Sequence, residues 1–158
     1  AASDVYKRQE YGIVDEPGLP MLEEALEKYP RLKFIGHSQP FWHEISQDAK
    51  PDLKSRMEWG KGPVKEGGRL VCLMRNYKNL YADLSANSGG CAIMRDEKFG
   101  LQFLEEFQDR LMFGTDMVNT DMVFPLGEWL DRQYQEGKLS VQAYRKICFE
   151  NAKKIFQL

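Results

Sequence analysis

The chain has 158 residues, 42% of them apolar, 12% aromatic and 29% charged, with a formal net charge of -2; this is the composition of one ordinary globular domain. Lys and Arg are scattered among Asp and Glu along the whole length, so no basic surface for a phosphate backbone is expected and nucleic acid is excluded as a partner. No apolar run approaches the roughly 20 residues that span a bilayer, and no signal-peptide pattern opens the sequence, so the expectation is a cytoplasmic location without membrane attachment.

The opening Ala1-Ala2-Ser3-Asp4-Val5-Tyr6-Lys7-Arg8-Gln9 has no hydrophobic period and resembles translated adapter sequence. Residues 1–9 are therefore expected to be a non-native leader, with residues 10–158 the native part. Pro20 suits the first turn of a helix, and Met21, Leu22, Ala25, Leu26 and Tyr29 recur with helical spacing until Pro30. Leu32-Lys33-Phe34-Ile35-Gly36-His37 is short, largely apolar and ended by a polar cluster, which predicts a buried strand with His37 at its C-terminal end.

Residues 41–45 form a helical turn at most, and Pro51, Gly60, Gly62, Pro63, Gly67 and Gly68 punctuate an irregular stretch. Leu70, Leu73, Met74 and Tyr77 mark the face of the next helix, and residues 79–84 the second strand, ended by Ser85-Ala86-Asn87-Ser88-Gly89-Gly90. Asp96 is placed to cap a third helix, with Phe99, Phe103, Leu104 and Phe107 on one face; residues 110–115 are the third strand, ended by Asp116. The remainder is helical, over residues 124–134 and then in one helix capped by Ser140 that carries Val141, Tyr144, Ile147, Cys148 and Ile155. Cys72, Cys91 and Cys148 are widely spaced, without a Cys-x-x-Cys pair, and are expected to be reduced.

Three helix-then-strand units predict an α/β fold with parallel strands, because parallel strands need helical crossovers and near-continuous apolar strands imply cover on both faces. A barrel and an open doubly wound sheet both satisfy this pattern. In either architecture functional groups collect at the C-terminal ends of strands, and those ends carry His37, then Ser85 and Asn87, then Asp116. An imidazole and a carboxylate brought together there suit a divalent ion that acidifies a bound water, with the carboxylate taking the proton. A satisfied histidine and a helix-capping aspartate account for the same two residues.

The segments Lys33-Phe34-Ile35-Gly36-His37 with Trp42, Asn79-Leu80-Tyr81-Ala82-Asp83-Leu84-Ser85-Ala86, Leu111-Met112-Phe113-Gly114-Thr115-Asp116 and Glu150-Asn151-Ala152-Lys153-Lys154-Ile155-Phe156 together resemble the amidohydrolase-related family, amidohydrolase 2, over about residues 10 to 158. The resemblance implies a distorted TIM-like (β/α) barrel of which this chain is the C-terminal half, with parallel strands and C-terminal helices. It also implies a small-molecule hydrolase acting on a C–N, C–O or lactone bond through a metal-activated water. By the resemblance, His37 and Asp116 are metal ligands and Asp116 is also the catalytic acid/base. The ion is expected to be zinc, with manganese and iron as alternatives.

Only His37 and His43 are histidines in the chain, so the family's His-x-His pair is absent, as expected if the N-terminal half of the barrel is missing and the fragment is inactive alone. Some decarboxylating relatives carry a catalytic histidine about where Asn87 stands, which favours hydrolysis over the alternative of a metal-dependent decarboxylase. The third possibility is a non-catalytic truncated α/β domain.

A full barrel needs about 250 residues, and a half barrel leaves open strand edges and an apolar inner face, so self-association or a homo-oligomer is expected. Trp42, Ser85 and Asn87 are the expected substrate-binding residues, whereas His43 is expected to have a surface or packing role and is not assigned as a ligand. Asp83 shares a strand face with Tyr81 and Ser85 and is expected to be a buried aspartate bonded to backbone or to a neighbouring strand.

Overall fold

The computed structural model describes residues 15–158; the expected leader and its boundary at Glu10 lie outside them. Three short strands, β1 (Phe34–Gly36), β2 (Leu80–Asp83) and β3 (Leu111–Met112), form a parallel sheet in the order β1-β2-β3. The register sets Phe34 beside Leu80, Ile35 beside Tyr81, Gly36 beside Ala82, Ala82 beside Leu111 and Asp83 beside Met112. Successive side chains alternate across a strand, so Gly36, Leu80, Ala82, Leu84 and Leu111 share one face and Ile35, Tyr81, Asp83 and Met112 the other.

The first face is the floor of the core. Leu80, Ala82, Leu84 and Leu111 are buried with Leu22, Leu26, Leu70, Leu73, Ile93, Phe103, Leu104, Leu130 and Ile147 in one hydrophobic cluster. The second face has no such cover: Ile35 is 38% exposed, Tyr81 and Asp83 are half-buried, and Met112, though buried, lies outside that cluster. The expected burial of the strands on both faces is thus corrected. Helices cover one face, and the other runs up to the side chains at the strand ends.

The crossovers follow the predicted pattern. Helix α1 (Pro20–Lys28) begins at its proline, but its cap comes from a distance: the Asp15 carboxylate accepts from the N–H groups of Met21 (3.2 Å) and Leu22 (2.9 Å), and Arg56 Nη2 holds the Asp15 carbonyl at 2.7 Å. Short helices α2 (Ser38–His43) and α3 (Leu53–Arg56) occupy the loop-rich stretch before α4 (Arg69–Asn76). Helix α4 approaches the chain ahead of it so closely that a Cβ on Gly68 would lie 1.9 Å from the Ile45 carbonyl oxygen, which only glycine permits.

The Ser85-to-Gly90 run that ends β2 also starts a helix, α5 (Ser88–Met94). Gly89 allows this, since a Cβ there would lie 2.6 Å from Leu84 Cα. Helix α6 (Glu97–Glu106) is capped as predicted by Asp96, which accepts from Phe99 N–H at 3.1 Å.

Strand β3 is two residues long, shorter than the six-residue run predicted at 110–115. Backbone bonds to β2 continue past it, from Ala82 N–H to Arg110 (3.0 Å), from Leu84 N–H to Met112 (2.9 Å) and from Ala86 N–H to Thr115 (3.3 Å). Two residues on β2 face three at the last step, an irregularity of the bulge kind that ends regular pairing. The Phe113 N–H turns away to the Ile147 carbonyl at 2.8 Å.

Helix α7 (Pro125–Gln135) follows, and the last helix, predicted as one piece, is α8 (Val141–Arg145) and α9 (Asn151–Phe156) joined by a π turn over Lys146–Glu150. In the wide turn the Asn151 N–H bonds to Lys146 rather than Ile147, so the Ile147 carbonyl is available to Phe113. The Asn151 amide completes the seam, donating to the carbonyls of Gln108 (2.6 Å) and Leu111 (2.8 Å).

Candidate active site

His37 leaves β1 in an extended conformation (φ -147, ψ 159), and Ser38 turns the chain into α2 with φ 74, a left-handed value that costs a non-glycine residue energy. The alternation that puts Ile35 on the open face puts His37 there as well. Its imidazole meets Asp83 from the end of β2: Nδ1 lies 3.0 Å from Oδ1 and 3.2 Å from Oδ2. On the other side, Nε2 lies 3.9 Å from Oδ2 of Asp116, just past β3. All three strand ends contribute to one cluster.

The hydrogen bonds assign the tautomer. Burial acts to raise the Asp83 carboxyl, but hydrogen bonds from His37 and Ser85 together outweigh it and hold the group below the usual carboxylate range. An ionised carboxylate only accepts, so the proton between the two side chains belongs to His37 Nδ1; in the neutral ring the lone pair is then on Nε2, the nitrogen that faces Asp116.

Asp83 is itself fixed. Ser85 Oγ donates to Oδ1, the Ser85 N–H donates to the same oxygen at 3.1 Å, and Trp42 Nε1 donates to the Asp83 carbonyl at 3.0 Å.

The predicted residues separate into two groups. His37 and Asp116 are brought together. Asp116 sits at φ 52, a conformation that Asp tolerates better than most residues, and its side chain is half exposed. Ser85, expected at the substrate, is buried, and its hydroxyl is bonded to Asp83.

Trp42, 2% exposed, packs edge-on against Phe41 and Phe103 as well as bonding Asp83. The Asn87 amide donates to the Val123 carbonyl at 2.9 Å, tying the end of β2 to the segment that follows Asp116. His43 Nε2 is paired with the Lys50 carbonyl at 2.9 Å.

Sequence reasoning undervalued Asp83. It is bonded to a neighbouring strand, as expected, but the neighbour is the site histidine. The available signal was the alternation of Tyr81, Asp83 and Ser85 taken together with the parallel register, which puts Asp83 beside the chain that carries His37.

A divalent ion accepts nitrogen and oxygen donors at about 2.0–2.2 Å, and an imidazole nitrogen and a carboxylate oxygen 3.9 Å apart are within the span such an ion bridges. The donor chemistry therefore fits part of a coordination shell. Among the described residues no group of three or more His, Cys, Asp or Glu side chains is assembled that could hold a metal, so His37 and Asp116 supply two donors and no more. No described helix is long and apolar enough to cross a membrane.

No curated protein matches the chain, and no solved structure does. A family model described as amidohydrolase matches residues 13–158, a span that contains β1, β2 and β3, the His37, Asp83 and Asp116 cluster and the closing helix. The chain belongs to the amidohydrolase family.

Proposed function

We propose that the chain is the C-terminal part of a metal-dependent hydrolase that cleaves a C–N, C–O or lactone bond of a small molecule, with His37 and Asp116 as two of the metal ligands. The observation that carries this is the His37 ring, held through Nδ1 by Asp83 so that Nε2 faces the Asp116 carboxylate at 3.9 Å. A metal-ligating histidine characteristically gives its other N–H to a carboxylate, which fixes the ring and raises its basicity. A divalent ion held there, zinc first among the candidates, would supply Lewis acidity toward a carbonyl and lower the pKa of water.

The chain's own residues have distinct tasks. Asp83 keeps the proton on Nδ1 and the ring in plane. Ser85 and Trp42 keep Asp83 in place. Asp116, half exposed, is positioned to accept a proton from the attacking water and pass it to the leaving group.

The three-stranded sheet with helices on one face and an open second face supports assignment to part of a (β/α) barrel, in which the open face would line the interior and the strand ends the mouth. The further ligands belong, in this proposal, to barrel strands that this chain does not supply. The test is a zinc titration of the chain and its variants by calorimetry. One ion per chain is expected, weakened by both His37→Ala and Asp116→Ala. Zinc affinity unchanged in both variants would refute the assignment.

A further inference from the structure

A second concave feature lies beside the site. A cleft of about 260 Å³ opens between the 46–63 segment and α5, and Trp42 and Ser88 form part of its wall. Both also touch the site: Trp42 bonds the Asp83 carbonyl at 3.0 Å and Ser88 Oγ donates to the Ser85 carbonyl at 3.3 Å. His37, Asp83 and Asp116 do not line it. The cleft is at the small end of ligand pockets, which run from about 300 to 1,000 Å³, and it suits a molecule of about one ring with one substituent.

Its chemistry is cationic and aromatic. Arg95, Lys50 and Lys61 line it against Asp48 and Glu58, leaving one net positive charge. Arg95 is underused: Nε is buried without a hydrogen-bond partner, and its guanidinium makes one long bond among the described residues, from Nη1 to the Lys61 carbonyl at 3.4 Å. A guanidinium offers five donors in a planar fork; Nε is closed off from solvent, so the terminal N–H groups are the ones that a ligand oxygen in the cleft would meet.

The group is also held in place. It packs on Gly60 so closely that a Cβ there would come within 2.5 Å of Nη1. At the rim, Trp59 shares the lining with 49% of its surface exposed, so its indole is open to a ligand.

We propose that this cleft binds a small planar organic carboxylate, with the Arg95 guanidinium paired to the carboxylate and the Trp59 indole against the flat body of the molecule. Arg–carboxylate pairs form two parallel hydrogen bonds, and Trp supplies a flat contact surface together with a polar tip. A monoanion matches the single net positive charge of the lining, whereas a phosphate dianion would overcompensate it and face Asp48. Burial acts on Arg95 to disfavour its charge and is opposed by Asp48 and Asp96, so an anionic ligand reinforces a charge that the fold only partly compensates. This proposal does not depend on the metal assignment.

The test is titration of the metal-free chain with benzoate, followed by tryptophan fluorescence and by NMR of the indole N–H groups. Saturable binding is expected in the millimolar range appropriate to so small a ligand, with the Trp59 signal moving. Benzamide, of the same shape without the charge, should bind at least about tenfold more weakly, as should benzoate to Arg95→Gln, the scale set by loss of a charge-assisted pair.

Trp59→Ala, at an exposed position that the fold tolerates, should weaken benzoate several-fold, and His37→Ala should leave it unchanged. Absence of saturable benzoate binding would overturn the proposal. Equal affinity for benzamide, or for benzoate in both the Arg95 and Trp59 variants, would do the same. Tighter binding of inorganic phosphate than of benzoate would overturn the carboxylate assignment, and loss of benzoate binding in His37→Ala would place the ligand at the strand-end site instead.

Discussion

Asp83→Ala isolates the contact on which the candidate site depends. The carboxylate accepts from His37 Nδ1 at 3.0 Å, from the Ser85 N–H at 3.1 Å and from Ser85 Oγ, with 24% of its side chain exposed. A hydrogen bond to a charged group contributes about 1.5–3 kcal/mol. Water reaches the His37 ring, 35% exposed, and replaces part of what is lost there. Little water reaches the Ser85 N–H.

The net loss should be about 2 kcal/mol, which for a chain of this size lowers the melting temperature by roughly 4–8 °C. Released from the carboxylate, the ring samples both tautomers, and zinc affinity should fall about 10–100-fold. Asp83→Asn keeps an acceptor for Ser85, so it should recover most of the stability and little of the zinc affinity. Urea denaturation and zinc calorimetry on the two variants separate the effects. Stability within about 0.5 kcal/mol of the parent together with unchanged zinc affinity in Asp83→Ala would refute this account of the site.

Other substitutions test the frame around it. Asp96 accepts from the N–H groups of Phe99 and Val64, which hold its carboxyl below the usual range; its stabilisation is therefore full above the ordinary carboxylate value and is lost as pH falls through the lowered one. Asp96→Ala should cost about 1 kcal/mol at neutral pH, and urea melts at pH 7 and at about pH 3 should show the parent's advantage over the alanine variant shrinking in acid; an advantage that is constant or larger at low pH would contradict this.

Gly68→Ala drives a Cβ toward the Ile45 carbonyl, 1.9 Å away on the present backbone, and should destabilise by about 1–3 kcal/mol or more; a neutral result in the same melts would contradict the close approach. Leu104→Ala, at a fully buried position between α6 and the rest of the core, should cost about 2–5 kcal/mol.

Much of the fold is written in local patterns. The helix beginning at Pro20, the caps at Asp96 and Ser140 and the three strand cores appear where periodicity and capping chemistry put them, because those signals act over a few residues. What escaped depends on contacts distant in sequence. The open sheet face is invisible to a strand such as Phe34-Ile35-Gly36, whose apolar character is the same whether or not something covers it. The α1 cap arrives from Asp15, outside the usual offset, and the π turn reflects a bond between Ile147 and Phe113.

The site divides in the same way. His37 and Asp116 were legible as polar residues ending apolar strands. Asp83 was not, because a buried aspartate on a strand has the same local appearance whether its partner is a backbone amide or the imidazole of the candidate metal site. Asn151 belonged to a recognisable closing motif, but its task, holding the carbonyls of Gln108 and Leu111, emerges only from the tertiary arrangement.

Asp83 fixes His37 through Nδ1 and leaves Nε2 toward Asp116, where the proposed metal would bind. Long-range proton–nitrogen NMR of the histidine rings measures this directly, since the two nitrogens have distinct shifts in each tautomer and on coordination. An Nδ1–H tautomer is expected for His37, with an Nε2 resonance that responds to added zinc and a response diminished in Asp116→Ala. An Nε2–H tautomer, or a ring indifferent to zinc, would contradict it.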